Sequence, residues 1–294
     1  MAVFTIAGLI LKEAVRRRTF IGTLLMGLLV LALSMLPILI RSRMLGEVHA
    51  GRMAEAQFIY RFPIMRSVIT LLCLSVIKSL GALFAVLMAG GAISGEIERG
   101  LLSVILSKPV PRWQILLGKW IGLNIVLMGS VYIWAVMVWA SLTLQTHEDR
   151  TPILVAGLYL MFYPLVVCTL TLTFSTISQR LVGTSLALVL MAIAWFDGIF
   201  NTIGENVGVD IVKVMARIMG MVLPQGYIGW WVEHAMDKIS IANPRPGQTG
   251  QSPTFITDWG VEHLHFAHLD AVYVVAYIII VFIVGAVVFQ RRDI

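Results

Sequence analysis

Charged side chains are scarce in this chain. Only 13% of its 294 residues are Asp, Glu, Lys or Arg, whereas 59% are hydrophobic and the mean hydropathy is +0.89. Soluble domains usually hold about 25% charged and about 45–50% apolar residues, so the composition excludes an ordinary soluble domain. The net charge of +6 does not indicate nucleic-acid binding, because the basic residues lie beside apolar runs instead of on one polar face. The sequence predicts an integral membrane protein.

Cysteine and nucleotide-binding motifs are also nearly absent. Cys73 and Cys168 both fall inside apolar runs without neighbouring zinc-type ligands, which predicts packing residues and no disulfide framework. The pattern G-x-x-x-x-G-K-[ST] does not occur: Gly118-Lys119 has Trp113 where the first glycine should be and Trp120 where the hydroxyl should be. We therefore expect no catalytic residue, no metal and no cofactor on this chain. If ATP and Mg²⁺ drive it, a partner subunit binds them.

Long apolar runs divide the chain. Each is close to the roughly 17–25 residues that a membrane-spanning helix needs. The six predicted spans are Phe20–Ile40, Val68–Ile93, Trp120–Ser141, Ile153–Ile177, Val182–Phe200 and Asp270–Phe289. They indicate a single membrane domain over residues 1–294, and an even number of spans places both termini on one side.

The density of Lys and Arg favours cytoplasmic termini in this multi-pass protein. This topology places Arg41–Arg66 outside as an arginine-rich loop. It also places residues 201–269 outside, where we expect a helix over 207–221, a break at Pro224-Gln225-Gly226 and a second short helix. Trp230 and Trp231 of that second helix suit the headgroup layer.

The polar segment at residues 94–119 separates the second and third spans. It predicts an amphipathic helix over Glu96–Ser107, a break at Lys108-Pro109 and a new helix behind Pro111. The apolar face of the first helix would hold Leu101, Leu102, Ile105 and Leu106. Such a segment lies on a membrane surface and can contact a soluble partner.

This segment resembles the first cytoplasmic loop of type-2 ATP-binding-cassette (ABC) permeases, which has an acidic pair, Arg-Gly, a leucine-rich helix, a proline, an arginine and Gly-Lys. The matching positions are Glu96, Glu98, Arg99, Gly100, Leu102, Pro109, Arg112, Gly118 and Lys119. The sequence departs from the pattern at Leu101, where the family often has threonine. The two termini are similar to the family as well, through Ile6-Ala7, Lys12-Glu13 and residues 16–20 at one end and Phe289 and residues 291–293 at the other. Within the family, the chain most resembles the permease group that includes the nitrous-oxide-reductase maturation transporter, which does not assign a substrate.

The resemblance implies an all-α membrane protein with six transmembrane helices, an amphipathic N-terminal helix (1–19), a cytoplasmic coupling helix within 94–119 and an external re-entrant hairpin within 201–269. Its function would be that of the permease subunit of an ATP-driven exporter in the bacterial inner (plasma) membrane. It would work as a homodimer in membrane lipid with separate ABC ATP-binding subunits. The ATPase-coupling residues it implies are Glu96, Glu98, Arg99, Gly100, Lys108, Pro109, Arg112 and Lys119.

Two other functions remain open. A membrane anchor or mechanotransmission subunit would use the outside segments to recruit an extracytoplasmic partner. An ATP-independent secondary transporter would line a pathway with Lys78, Asn124 and Asp197.

Several further residues have simpler interpretations. Lys78 in the second span is expected to extend toward the membrane interface. Gly81, Ala85 and Ala89 form a small-residue stripe that predicts close helix packing, within one subunit or between two, and Gly118 and Gly122 form a second pair. His263, His265 and His268 predict interfacial residues rather than a metal site, because no completing ligand is evident.

Overall fold

The computed structural model describes residues 2–16, 18–98, 100, 111–146, 151–195, 224, 226–229, 231–232, 235 and 267–291. All regular secondary structure in these ranges is helical, which confirms the all-α class there. The helices are α1 (Ala2–Arg16), α2 (Arg18–Ser34), α3 (Leu36–His49), α4 (Glu55–Ala89), α5 (Ser94–Glu98), α6 (Arg112–Thr146), α7 (Thr151–Leu160), α8 (Phe162–Ile177), α9 (Arg180–Trp195) and α10 (Ala267–Arg291).

Five of the described helical stretches are long and apolar enough to cross a membrane. They are Leu25–His49, Met65–Glu98, Arg112–Gln145, Thr151–Ile177 and Ala271–Arg291. They correspond to the first four predicted spans and the last one. The remaining predicted span begins in α9, which has 16 residues, and residues 196–200 lie outside the described part of the chain. The total of six spans therefore stays a prediction.

The first span does not end in a loop, so that prediction is wrong. After a break at Met35 the chain continues as α3, which has Pro37 in its first turn and runs to His49. Proline is tolerated there because the first N–H groups of a helix have no intrahelical partner. Hydropathy falls at Arg41, but a polar helix can extend into water since its backbone hydrogen bonds remain satisfied.

A tight turn joins α3 to α4. Gly51 has φ +70°, its N–H donates to Val48 O at 3.0 Å, and the N–H of Arg52 donates to Glu47 O at 3.0 Å. This pair of bonds around a left-handed glycine is the Schellman ending of a helix. Residues 41–66 thus form a helical hairpin instead of the expected arginine-rich loop.

Helix α8 lies at the centre of the bundle and packs against α4, α6, α9 and α10. Its polar side chains are satisfied locally: Thr171 Oγ1 donates to Val167 O at 2.7 Å, and Thr169 Oγ1 donates to Leu165 O at 2.8 Å. Trp120 Nε1 of α6 in turn donates to Thr169 Oγ1 at 2.8 Å. Because each hydroxyl has a partner, a threonine-rich helix can be buried among apolar neighbours.

The expected amphipathic N-terminal helix is present as α1, and it crosses the start of α6. A methyl group added at Gly118 would lie 2.8 Å from Ile6 Cβ, and one added at Gly122 would lie 3.0 Å from Ile10 Cβ. These glycines therefore allow the two helices to approach closely. On the opposite side of α1 Phe4 is 77% exposed, as suits a helix lying in a membrane interface.

The small-residue stripe of α4 packs within its own chain. A methyl group at Gly81 would lie 2.8 Å from Val131 Cγ2 of α6 and 3.7 Å from Pro164 Cγ of α8. Ala85 and Ala89 are fully buried in the same core. The stripe thus joins α4 to α6 and α8 of one subunit.

Lys78 does not extend to the membrane interface, so that expectation is wrong. Its side chain is buried in the bundle, and Nζ lies 4.8 Å from the ring centroid of Tyr163 in α8. A cation over an aromatic face is attracted by the ring quadrupole, which compensates in part for the loss of water. Asn124 is also buried, and its Nδ2 donates to Trp120 O at 2.8 Å.

Part of the predicted outside segment packs onto the bundle. Pro224 lies in a turn, and residues 226–229, 231–232 and 235 are helical. The Trp231 ring lies 5.8 Å from that of Tyr159 and 5.9 Å from that of Phe162, and Tyr227 lies 5.2 Å from Tyr273. Trp231 is therefore buried against protein instead of standing in the headgroup layer as expected.

The rest of that segment, including Trp230, His263 and His265, lies outside the described residues, so the re-entrant hairpin stays a prediction. Asp197, in the predicted fifth span, also lies outside them. His268 belongs to the first turn of α10.

Candidate coupling site

Five ends of described helices meet with the short helix α5 at one end of the bundle, which we call the α5 end. They are the C-terminal ends of α4, α8 and α10, the N-terminal ends of α6 and α9, and α5 itself. Helix α1 packs on α6 at the same end. Both described ends of the chain are therefore on the side that carries the polar segment 94–119.

A buried serine pair fixes the turn between α4 and α5. The N–H groups of Ile93 and Ser94 both donate to Ser175 Oγ of α8, at 3.2 and 3.1 Å. The hydroxyl oxygens of Ser94 and Ser175 also lie 3.1 Å apart. Ser175 therefore satisfies two backbone donors that α5 leaves without helical partners. A serine within an apolar run gives no sequence signal for this role.

An ion pair joins α5 to α6. Lys119 Nζ contacts the carboxylate of Glu96 and also donates to Ala92 O. The Lys119 side chain is 6% exposed and that of Glu96 is 31% exposed. Lys119 thus points into the chain, where the carboxylate compensates its charge.

Glu98 connects the other end of α5 to α9. Its Oε1 accepts a hydrogen bond of 3.0 Å from the backbone N–H of Arg180, the first residue of α9. The first N–H groups of a helix lack intrahelical partners and carry a partial positive charge. A carboxylate from residue 98 therefore stabilises the beginning of a helix that starts at residue 180.

Glycines let the first turn of α9 approach the α4–α5 turn. A methyl group at Gly91 would lie 2.7 Å from Arg180 Nε, and one at Gly90 would collide with Thr184 Oγ1. A methyl group at Gly95 would also lie 3.5 Å from Arg180 Cδ. Arg180 and Thr184 are four residues apart and share one face of α9, so this face rests on the glycine turn.

Helix α5 ends sooner than the sequence suggested. Gly100 has φ +68°, and its N–H donates to Ile97 O at 3.0 Å. A right-handed helix cannot run through that conformation, so the prediction of one helix over Glu96–Ser107 is wrong at its beginning. Arg99 and residues 101–110, among them Lys108 and Pro109, lie outside the described residues.

The predicted new helix behind Pro111 is confirmed. Helix α6 begins at Arg112, and the N–H of Gln114 donates to Pro111 O at 3.0 Å. The Arg112 guanidinium donates to Phe289 O at 3.5 Å, in the last turn of α10. A cation suits that position because the last carbonyls of a helix carry partial negative charge.

A pocket of about 440 Å³ lies between α4, α5 and α9. It is lined by Leu87, Gly91, Glu98, Gln179, Arg180, Leu181 and Thr184. The structure brings together Glu96, Glu98, Gly100, Arg112 and Lys119 of the predicted coupling residues at this end. It adds Ser175 and Arg180, which sequence reasoning missed.

The chain was compared with known protein families. The family model of the ABC-2 family transporter proteins matches residues 4–294. The chain belongs to the ABC-2 transporter family. The match covers nearly the whole chain, from α1 to the end of α10, and confirms the resemblance to type-2 ABC permeases. No curated protein matches the chain.

Membership and the spanning helices together define a multi-pass membrane protein and a membrane subunit of an ABC transporter, and membership implies an ABC ATP-binding partner in general. The narrower likeness to the nitrous-oxide-reductase maturation group stays a prediction. Among the residues that the structure describes, no group of three or more His, Cys, Asp or Glu side chains could hold a metal ion.

Proposed function

We propose that this ABC-2 chain is the permease subunit of an ATP-driven exporter, that it works as a homodimer in the bacterial inner membrane, and that residues 94–119 couple it to the ATP-binding subunits. One observation carries the proposal. The base of the polar segment is bound to three helices, through Glu96 and Lys119 to α6, through Ser94 and Ser175 to α8, and through Glu98 to α9.

This arrangement suits a segment that transmits force. A surface loop with free ends would absorb displacement by changing its own conformation. Because α5 is held at both ends and in its middle, a displacement of the segment acts on the spans themselves. The contacts of Glu96 with Lys119 and of Glu98 with the N–H of Arg180 both involve an ionised group. Such charge-assisted hydrogen bonds are stronger than those between neutral groups.

The predicted coupling residues then divide into two groups. Arg99, Lys108 and Pro109 belong to the part of the segment beyond α5 and are the proposed contacts with the ATPase. Glu96, Glu98 and Lys119 hold the base of the segment within the chain. Gly100 ends α5, and Arg112 begins α6 beside the end of α10.

A co-purification experiment tests the proposal. In the full chain expressed with its ABC ATP-binding subunit, Arg99→Glu with Lys108→Glu should lower co-purification about tenfold or more, because like charges would meet at an interface. Arg41→Glu with Arg43→Glu is the matched control, since it changes the net charge equally at the other end of the bundle. Equal recovery of ATPase with both double variants would contradict the proposal.

A second function, mechanotransmission to an extracytoplasmic partner, is favoured by the α3–α4 hairpin. It extends past the apolar runs and carries exposed Arg41, Arg43, Arg52 and Arg61 on the side opposite α5. Substrate-stimulated ATP hydrolysis by the complex in liposomes supports export. Hydrolysis that responds to no transported substrate, but does respond to a protein bound at the hairpin, supports mechanotransmission.

A further inference from the structure

We infer that Glu98 is a positioning residue that makes α9 move together with the coupling segment. The inference rests on the proposed function and assigns Glu98 a role inside the chain instead of at the ATPase surface. A displacement of α5 would thereby reach α9 as well as the spans that flank the segment in sequence, α4 and α6.

The start of α9 follows α8 almost directly. Only Ser178 and Gln179 separate it from α8, and the N–H of Gly183 donates to Gln179 O at 2.9 Å to close its first turn. A methyl group at Gly183 would lie 2.8 Å from Ser178 Oγ and 3.1 Å from Phe174 O, so the α8–α9 corner is tight. The first backbone N–H of α9, that of Arg180, donates to Glu98 of α5. This hydrogen bond joins the start of α9 to a part of the chain beyond the corner.

The two ends of α5 differ in a way that favours rotation. Ser94, at the beginning, is buried and bonded to buried Ser175. Glu98, at the end, is exposed and lies four residues further on, about 6 Å along the helix axis. A rotation of α5 about the serine pair therefore displaces the Glu98 carboxylate most, and the N–H of Arg180 with it.

The outer face of α9 leaves the helix able to follow. Leu181, Val182, Leu186 and Val189 are all exposed within the chain. The inner face of its first turn packs closely on the α4–α5 turn, where Arg180 and Thr184 fill the space that a side chain at Gly90 or Gly91 would need. The hydrogen bond to Glu98 and this close packing therefore both join the start of α9 to the α4–α5 turn.

Two variants separate the hydrogen bond from simple loss of a side chain. Glu98→Ala removes the acceptor, whereas Glu98→Gln keeps a side-chain oxygen that can accept from Arg180. Glu55→Ala is the control, because Glu55 is an exposed acid at the beginning of α4, at the other end of the bundle. All variants are made in the full chain.

The first measurement needs no ATPase. Hydrogen–deuterium exchange over residues 178–184 should be about tenfold faster in Glu98→Ala, within about twofold of wild type in Glu98→Gln, and unchanged in Glu55→Ala, since a helix start that loses its acceptor frays. Exchange at the wild-type rate in Glu98→Ala overturns the inference.

The second measurement uses the complex with the ATP-binding subunit. Spin labels at Leu186 of α9 and Ile125 of α6, both exposed, report the distance between these helices with and without ATP. The ATP-dependent change should be lost in Glu98→Ala and kept in Glu98→Gln and Glu55→Ala, while the ATPase still co-purifies. A change that survives Glu98→Ala overturns this inference alone. Failure of the wild-type chain to bind any ATPase overturns the proposed function, and the movement with it.

Discussion

The hydroxyl oxygens of Ser94 and Ser175 lie 3.1 Å apart, although the two residues are 81 positions apart in the chain. Ser175 has no exposed surface and accepts from the N–H groups of Ile93 and Ser94. The beginning of α5 therefore depends on one hydroxyl of a helix that crosses the middle of the bundle.

Replacing that hydroxyl should destabilise the α5 end. Ser175→Ala leaves two buried N–H groups without their acceptor, at a cost of about 2 kcal/mol. Ser185→Ala is the control, because Ser185 is exposed and its hydroxyl bonds only within its own turn, to Val182 O. The melting temperature of the purified chain should fall in Ser175→Ala and stay unchanged in Ser185→Ala. Equal melting temperatures would contradict the assigned role.

The Glu96–Lys119 pair should behave as a coupled unit. Lys119→Met leaves the Glu96 carboxylate without its partner, and because that carboxylate is 31% exposed, we expect about 2 kcal/mol, below the 3–5 kcal/mol of a fully buried pair. Adding Glu96→Gln to Lys119→Met should restore part of the loss. A double-mutant cycle on melting temperatures measures this, and strictly additive losses would show that the pair contributes nothing.

The crossing of α1 and α6 should depend on Gly118. Gly118→Val places a side chain against Ile6 and Val3 O, where a single added methyl would already lie 2.8–2.9 Å away. We expect α1 to separate from α6 and to become sensitive to protease, because a closely packed contact cannot absorb the added volume. Gly129→Val is the control on the same helix, since nothing lies within 4 Å of its added carbon. Protection of residues 2–16 in both variants would contradict this packing.

The sequence predicted the spans well and the contacts between them poorly. Apolar runs reveal spans because the cost of placing each residue in hydrocarbon depends mainly on that residue. The sequence places Lys78 and Trp231 at the membrane interface. It does not show that Tyr163 contacts Lys78 or that Tyr159 contacts Trp231. No sequence pattern around Ser175 predicts its hydrogen bonds, because its partners are far away in the chain.

Glycines mark two of the helix ends in the sequence. Gly100 follows a short acidic stretch, and a glycine after a helix often marks its left-handed ending, which is what the structure has. Gly51 marks the end of α3 in the same way.

The orientation of the chain is open to a direct chemical test. Gln179 is exposed at the α5 end, between α8 and α9, whereas Gly247 belongs to the predicted outside segment. In a chain without Cys73 and Cys168, single cysteines at these two positions should react differently with a thiol reagent that does not cross membranes. We expect labelling from outside at Gly247 alone, and labelling at Gln179 only after the membrane is opened, because the density of Lys and Arg predicts a cytoplasmic α5 end. Both parent cysteines are buried and unpaired, so their replacement by alanine or serine should leave the topology unchanged. Labelling of Gln179 in intact cells would reverse the orientation, and it would remove the α5 end from reach of any cytoplasmic ATPase.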